Sequence, residues 1–296
     1  MIRLNLEQLR TFMIVVRSGG VVRAAQSLHL TQPAVTARIK ALEDTLGTPV
    51  FDRSSGTGKL TKRGEILLQY AHKLETLANE IERDIVDPDG IEGTLRIGTS
   101  ETIAQGWLPD FIGALNAQFP KLQIELNVDV SVNLRNALLA REIDLAFLLG
   151  PISEFSVDNV DLPPYALGWY RSAQVAHSGR AEGLYGKPVI TYAKNTRPYR
   201  ELRDAVLARV GPDIQLFPSS SLSAAMRLVT SGLGVAALPK TLAEPFVAAG
   251  DLRRFDPGWV PSPLVFTASY VADPPNQVVE KASILAQTIA RSASST

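Results

Sequence analysis

The first 46 residues divide into three helical segments whose connections are so short that the segments must pack together. Apolar residues recur at helical spacing over 6–16, and a second segment extends from Val21 to Leu28. Between them lies Ser18-Gly19-Gly20, and glycine adopts the left-handed backbone that ends a helix. The next connection is only His29-Leu30-Thr31. The pattern predicts a helix-turn-helix at the head of the chain.

The third segment, Thr31 to Leu46, has the features of a helix that enters a DNA major groove. Thr31 suits an N-cap, and Pro33 suits the first turn, where its missing N–H costs nothing. Opposite the apolar stripe, the amino end is small and polar, and Gln32 can pair with an adenine edge. Taken alone, Gln32 could equally be a solvated side chain. The face predicted to contact DNA comprises Thr31, Gln32, Pro33, Ala34, Thr36, Arg38 and Lys40.

Beyond Gly47, two short extended pieces flank the Gly-rich loop 54–58, which predicts a wing. Arg53, Lys59 and Lys62 are available there for DNA phosphates, contacts that set register and salt dependence without reading sequence. Residues 1–63 carry ten Lys or Arg against four Asp or Glu, although the whole chain is neutral. A basic head indicates contact with a polyanion. Chance clustering on solvated faces is the alternative.

Residues 62–90 are predicted to form a long linker helix that dimerises. Apolar residues alternate at steps of four and three, the spacing of a heptad seam. Leu68 and Leu77 broaden this apolar surface, so packing of the helix on its own head is the alternative. Asp87-Pro88-Asp89-Gly90 predicts a hinge. The predicted seam comprises Leu67, Ala71, Leu74, Ala78, Ile81 and Ile85.

After the hinge, short apolar strands alternate with helices, which predicts mostly parallel sheets flanked by helices. Ligands of such sheets gather beyond the carboxyl ends of the strands, near helix N-termini. Arg197 could grip a carboxylate there, Glu101 could instead receive a cationic ligand, and hydroxyls at helix starts could simply be caps. The predicted effector-binding residues are Thr99, Ser100, Thr102, Ser131, Asn195, Thr196, Arg197 and Ser220.

The sequence lacks the residues that several classes of function require. The chain has no cysteine, which excludes thiolate ligands and nucleophiles, and its three histidines, His29, His72 and His177, are scattered. We find no Gly-x-Ser-x-Gly, phosphate loop or dinucleotide fingerprint, so we expect neither an enzyme nor a cofactor. The apolar runs are too short to cross a bilayer and no secretory signal is visible, which favours a soluble, cytoplasmic protein.

The head resembles the N-terminal signature of LysR-type transcriptional regulators over about 60 residues. The matching positions are Ala24-Ala25-Gln26-Ser27-Leu28-His29-Leu30-Thr31-Gln32-Pro33-Ala34-Val35-Thr36, Ile39, Leu42-Glu43, Leu46-Gly47, Pro49, Phe51, Arg53, Leu60-Thr61 and Gly64. By this resemblance, Gln32, Pro33 and Thr36 face the major groove of DNA, and Arg53 in the wing contacts the DNA backbone. Many members carry a basic residue at the position of Ala37, so whether Arg38 makes the DNA contact of that residue is open.

The resemblance implies an N-terminal all-α winged helix-turn-helix plus a long linker helix, followed by an α/β two-lobed effector domain like the periplasmic solute-binding proteins. The expected boundaries are 1–61 for the DNA-binding domain, 62–90 for the linker, 91–163 with 264–296 for lobe I, and 164–263 for lobe II. Such proteins are usually homotetramers.

The expected function is a ligand-responsive regulator that binds imperfect palindromic promoter sites as a homodimer or homotetramer. A small molecule in the cleft, for which a carboxylate is one candidate, would change the relation between the lobes, and RNA polymerase is an expected contact. Two rivals remain. One is a solute-binding protein with a fused helical head, and the other is a DNA-binding protein without an effector.

Overall fold

A computed structural model describes residues 4–52, 59–81, 93–174, 184, 187–273 and 275–294. Contacts between residues divide the chain into two units, Met1–Asp89 and Gly90–Thr296. None of the helices in these described ranges is both long enough and apolar enough to span a membrane.

The amino-terminal unit contains the three predicted helices, α1 (Leu6–Ser18), α2 (Val21–Ser27) and α3 (Gln32–Leu46). The hydroxyl of Thr31 caps α3 by accepting the N–H of Ala34 at 3.4 Å. Gly19 and Gly47 end α1 and α3 in the left-handed conformation. Phe12, Val35 and Leu42 are fully buried where the helices meet. The predicted helix-turn-helix is therefore confirmed.

A wing follows α3 and is attached to it by a buried carboxylate. Glu43 Oε1 accepts the N–H groups of Val50 at 2.8 Å and Phe51 at 3.3 Å. Phe51 and Leu60 form an antiparallel bridge. A side chain at Gly64 would place its Cβ 2.1 Å from the carbonyl oxygen of Val50, so only glycine lets the next helix approach so closely. The tip of the wing, with Arg53, lies outside the described residues.

In helix α4 (Lys62–Ile81), three of the six predicted seam residues face the head instead of a partner helix. Ala71 is 2% exposed in the core of the head, and Leu67 and Leu74 pack against the same core. These three residues therefore face their own domain, as the alternative had it. Among the described side chains of α4, the large apolar ones that are exposed are those of Ile66, Tyr70 and Leu77. Each of them lies one position before a residue of the predicted seam. Ala78 is half-buried, whereas the side chain of Ile81 and all of Ile85 lie outside the description.

The carboxy-terminal unit alternates strands and helices as predicted. Its elements are β1 (Gly93–Thr99), α5 (Glu101–Ala104), α6 (Leu108–Gln118), β2 (Leu122–Val128), α7 (Ser131–Leu139), β3 (Leu145–Leu149), β4 (Val157–Asp161), β5 (Leu167–Ser172), β6 (Val189–Thr191), α8 (Arg197–Val210), β7 (Leu216–Pro218), α9 (Leu222–Thr230), β8 (Val235–Pro239), α10 (Lys240–Ala248), β9 (Leu252–Phe255), β10 (Phe266–Val271) and α11 (Gln277–Ser294).

These strands form two five-stranded sheets. The first has the order β2-β1-β3-β10-β4 and the second the order β7-β6-β8-β5-β9. In each sheet three adjacent strands are parallel, and the first strand after a crossing between the lobes, β10 or β5, is antiparallel to both its neighbours. We call the halves built on these sheets lobe I and lobe II.

Each sheet is covered by helices on both faces. In lobe I, α6 and α11 bury Trp107, Phe111 and Phe147 against one face, while Leu134 and Leu138 of α7 cover the other. In lobe II, α9 and α10 cover one face and α8 the other. This doubly wound arrangement agrees with the predicted two-lobed α/β class.

The two connections between the lobes pair with each other. Tyr165, between β4 and β5, exchanges two backbone hydrogen bonds with Leu264, between β9 and β10, at 2.9 and 3.0 Å. The ring of Tyr165 packs edge-on against Phe266, with ring centres 5.7 Å apart. Burial raises the pKa of the Tyr165 hydroxyl to about 12, farther above physiological pH than its ordinary value of 10.0.

Candidate nucleic-acid interface and effector cleft

The amino end of α3 presents most of the predicted DNA-contacting side chains to solvent. Thr31, Gln32, Pro33, Thr36 and Lys40 are exposed, and Ala34 is half-buried. Val35 and Ile39 on the opposite side are buried in the head. The helix thus separates a polar outer face from an apolar inner one, as its sequence predicts.

A hydrogen bond within α3 determines which atoms of the Thr36 side chain are available to contact DNA. Its hydroxyl donates to the carbonyl oxygen of Gln32 at 3.0 Å. With its hydrogen engaged, this hydroxyl cannot donate to a base, so the methyl group is the part available for apolar contact. A methyl group at this place can contact the methyl group of a thymine.

Arg38 is directed toward α1 rather than being free on the outer face. Its guanidinium donates to the hydroxyl of Thr11 at 3.3 Å and lies 3.5 Å from the carboxylate of Glu7. It therefore contributes to packing between α1 and α3. Lys59 and Lys62 are exposed beside the wing, so both cations are accessible to phosphates.

A cleft lies between the two lobes, at the carboxyl ends of β1, β6 and β8. It is lined by residues of both sheets and has a volume of about 100 Å³, several times what one water needs by the same measure. Apolar side chains such as Ile190, Leu264 and Phe266 form part of its wall. The position is the one at which doubly wound sheets bind ligands.

The structure brings five of the eight predicted effector residues into this cleft, namely Ser100, Thr102, Ser131, Thr196 and Ser220. Three are elsewhere. Thr99 is fully buried and donates to the carbonyl oxygen of Ser100. Asn195 is exposed outside the lining. Arg197 lines a separate small pocket and pairs with Glu201 at 3.7 Å.

Two of the five hydroxyls already serve the fold. Ser131 accepts the N–H of Leu149 at 2.9 Å, and Thr196 caps α8 by accepting the N–H of Tyr199 at 3.4 Å. Ser100 differs, because its side-chain oxygen is buried without a hydrogen-bond partner among the described atoms, and the residue is only 9% exposed. A buried hydroxyl without a partner is costly, so a ligand that bonded to Ser100 would recover that cost.

Glu101 extends from lobe I across the cleft to the amino end of α9 in lobe II. Its carboxylate accepts the N–H of Leu222, the N–H of Ser223 at 3.0 Å and the Ser223 hydroxyl at 2.5 Å. The hydroxyl of Ser221 lies 3.3 Å away, and the amide of Gln105 donates at 3.0 Å. The carboxylate thus connects the two lobes directly.

The electrostatic setting favours the ionised form of Glu101. Burial acts to raise its pKa, but hydrogen bonds from the side chain and N–H of Ser223, the N–H of Leu222 and the amide of Gln105 outweigh burial and hold the pKa below its ordinary value. The partial positive charge at a helix N-terminus acts in the same direction.

The cleft carries a second carboxylate, Asp129, on lobe I. One of its oxygens accepts the N–H of Val130 at 2.7 Å and the side-chain amide of Asn133 at 2.9 Å. Among the described residues that line the cleft, none is Lys, Arg or His. The fixed charges of the described lining are therefore both negative.

The roles of Glu101 and Asp129 in the cleft were not predicted, although Glu101 was noted as a possible partner for a cation. Asp129 directly follows β2 and Glu101 lies two residues after β1, and this position near strand ends was the signal for them. The contacts between Glu101 and α9 join residues 121 and 122 positions apart, and no local pattern encodes them. No group of three or more potential metal ligands occurs within the described ranges.

Comparisons with known proteins agree with this architecture. Residues 6–65 match the family described as "Bacterial regulatory helix-turn-helix protein, lysR family", and residues 88–282 match "LysR substrate binding domain". The regulator YofA of Bacillus velezensis is 30% identical over 242 residues, which cover 80% of this chain and 82% of that protein.

Two solved structures have the same fold. A full-length OxyR variant from Pseudomonas aeruginosa superposes with a TM-score of 0.76 at 23% identity, covering 99% of this chain and 96% of that one. Full-length CbnR in complex with its target DNA gives a TM-score of 0.62 at 20% identity, covering 97% and 100%.

The fold and the two sites define a DNA-binding regulator with an effector-binding domain. The chain belongs to the LysR family of transcriptional regulators. Because that family consists of regulators, the prediction of a non-enzymatic protein is confirmed.

Proposed function

We propose that this chain controls transcription by placing the amino end of α3 in the major groove of promoter DNA. The observation that carries the proposal is the exposed polar face of α3, where Gln32 and Thr36 are accessible while Val35 anchors the helix below. Gln32 would read an adenine edge, and the Thr36 methyl would contact a thymine. Thr31, Pro33, Ala34 and Lys40 would complete this surface.

The wing would bind phosphates rather than bases. Lys59 and Lys62 are exposed beside it, and Arg53, which lies outside the described residues, carries the same expectation from the sequence. Such contacts would add affinity for any duplex and make binding sensitive to salt. Arg38 has partners on α1, so we assign it to positioning α3.

We propose that two chains associate through the exposed face of α4, comprising Ile66, Tyr70 and Leu77. Large apolar side chains repeated on one face of a surface helix favour a helix of a second copy as the partner. A dimer of this kind would present two α3 helices to half-sites one or more turns apart, and paired dimers would give the homotetramer.

The cleft between the lobes is the proposed effector site. Its position at strand ends, its two-lobed wall and the buried Ser100 hydroxyl without a partner all support a small-molecule ligand. A ligand that contacts both lobes would favour one arrangement of the lobes, and its effect would be limited by its differential affinity for the two states. Contact with RNA polymerase and a cytoplasmic location complete the proposal.

The test is footprinting of the DNA upstream of the chain's own gene, with and without candidate metabolites. We expect protection of two half-sites on one face of the duplex, with a protected length that changes when an effector is added. The absence of any protected sequence on genomic fragments would contradict the proposal. Detection of the chain in the periplasm would instead favour a solute-binding protein.

A further inference from the structure

The amino end of α9 is the position in the cleft best suited to an anion, and the protein fills that position itself. Glu101 accepts the N–H groups of Leu222 and Ser223, while the Ser221 side chain accepts the next one, from Ala224, at 3.1 Å. The N–H of Ala225 bonds to the carbonyl of Ser221. The first turn of α9 therefore has no donor left for a ligand carboxylate.

A second and independent feature indicates that a ligand belongs in the same cleft. The Ser100 hydroxyl is more than nine-tenths buried, lines the cavity and has no partner among the described atoms. It can either donate or accept a hydrogen bond. The only charged side chains in the described lining are Glu101 and Asp129, so an incoming anion would meet two like charges while a cation would meet two opposite ones.

We propose that Glu101 is a specificity-determining residue that fills the anion position of the cleft at α9, so that the effector is a neutral or cationic small molecule rather than a carboxylate. This inference rests on the proposed function of the cleft as the effector site. It replaces the carboxylate expected from the sequence, because Arg197, the predicted partner of that carboxylate, lies outside the cleft and pairs with Glu201.

The proposal can be tested without knowing the natural effector. Removal of the Glu101 carboxylate should open a site that a small free carboxylate such as acetate can occupy. The variants are Glu101→Ala, which vacates the position, and Glu101→Gln, which keeps its shape without its charge. Glu142→Ala is the matched control, since Glu142 is an exposed acid of lobe I outside the cleft lining.

Unfolding of the full chain is followed by tryptophan fluorescence. All three tryptophans, Trp107, Trp169 and Trp259, lie in the carboxy-terminal unit, so the signal reports on the lobes. Sodium acetate is titrated against sodium chloride at equal ionic strength and neutral pH, with acetamide as a neutral molecule of similar shape. Each response is read as the difference from Glu142→Ala, which removes the general effect of the salt.

We expect Glu101→Ala to lower the melting temperature by about 4 °C or more. Acetate should restore it along a saturable curve, as a ligand of the folded state does. Acetamide should not restore it, because it lacks the charge. Wild type and Glu101→Gln should not respond to acetate, because a side chain already fills the position in both.

Either of two results would overturn the proposal: a saturable rise in the melting temperature of wild type with acetate, or a folded Glu101→Ala that acetate leaves unchanged. If Glu101→Ala does not fold, the acetate titrations of wild type and Glu101→Gln decide. A saturable rise in the melting temperature of either protein contradicts the proposal, and an unchanged melting temperature in both supports it. Gel shifts of wild type with genomic fragments test the regulatory function separately, because failure to bind DNA leaves the acetate result intact.

Discussion

The carboxylate of Glu43, near the end of the third helix, accepts the N–H of Val50 at 2.8 Å and so attaches the wing to the helix that is proposed to read DNA. Glu43 is 9% exposed and Val50 is 1% exposed, so this bond is shielded from water. It acts together with the hydrogen bonds from Thr61 to the carbonyl oxygens of Val50 and Pro49 and with the burial of Val50 in the core of the head.

Glu43→Ala should therefore loosen the wing. A buried N–H left without an acceptor costs about 1–3 kcal/mol, which corresponds to an increase of about 5- to 150-fold in local opening. Hydrogen exchange measured on peptides that cover Val50 and Phe51 should accelerate by that factor. Asp44→Ala is the matched control, since Asp44 is the exposed neighbour. Equal exchange in the two variants would show that Glu43 does not hold the wing.

Gln32→Ala should reduce discrimination between DNA sequences by about 1–3 kcal/mol, because a bidentate contact to an adenine edge would be lost. The measurement is the ratio of affinities for a footprinted site and a scrambled duplex. Gln69→Ala, an exposed glutamine of α4, serves as the control. An unchanged ratio in Gln32→Ala would reject the groove contact.

Lys59→Ala should weaken binding to every duplex alike, since a phosphate contact reads no sequence. The slope of log affinity against log salt should flatten by about one unit. Lys281→Ala removes an exposed charge from α11 and should leave the slope as it is. A loss restricted to one sequence would mean that Lys59 contacts a base.

Leu77→Glu should dissociate the assembly while the head stays folded, because Leu77 is 45% exposed on the face of α4 proposed to meet a second chain. Ala71→Glu should instead unfold the head, since Ala71 is buried in its core. Light scattering measures the first effect, and circular dichroism the second. A parental mass for Leu77→Glu would remove this face from the interface.

The contact between Glu101 and α9 should contribute to stability only while the carboxylate is ionised. Because its pKa lies below the ordinary 4.5, this contribution is complete above about that pH and is lost as pH falls through the lowered pKa. The difference in melting temperature between wild type and Glu101→Gln should be constant near neutrality and shrink in acid. A difference in melting temperature that persists at low pH would indicate that the contact between the lobes does not depend on the charge of Glu101.

Helix-turn-helix geometry was predictable because its signals are local. Gly19, Gly47 and Thr31 each act within one turn of their own position, so periodicity and capping gave the three helices to within a residue or two. The strands β4, β5 and β9 were not predicted. β4 and β9 are short edge strands with polar residues, and β5 begins just after the boundary expected between the lobes at residues 163 and 164.

Three residues of the linker seam, Leu67, Ala71 and Leu74, were assigned to the wrong side of the helix for a different reason. Leu67, Leu68, Leu74 and Leu77 make one broad apolar surface, and periodicity gives its repeat without telling which side faces the helix's own domain. In the cleft, hydroxyls at strand ends were found by position alone. The reach of Glu101 to α9 depends on how two lobes are folded against each other, which no spacing along the chain can express.

The mutual hydrogen bonds of Tyr165 and Leu264 make the two interlobe connections a single ribbon. Neither connection can twist independently of the other without breaking these hydrogen bonds, so a rotation of one lobe relative to the other would bend both connections about a common axis. An opening motion of the effector domain is thereby restricted to few directions, and a substitution on either side of the ribbon would alter the same movement.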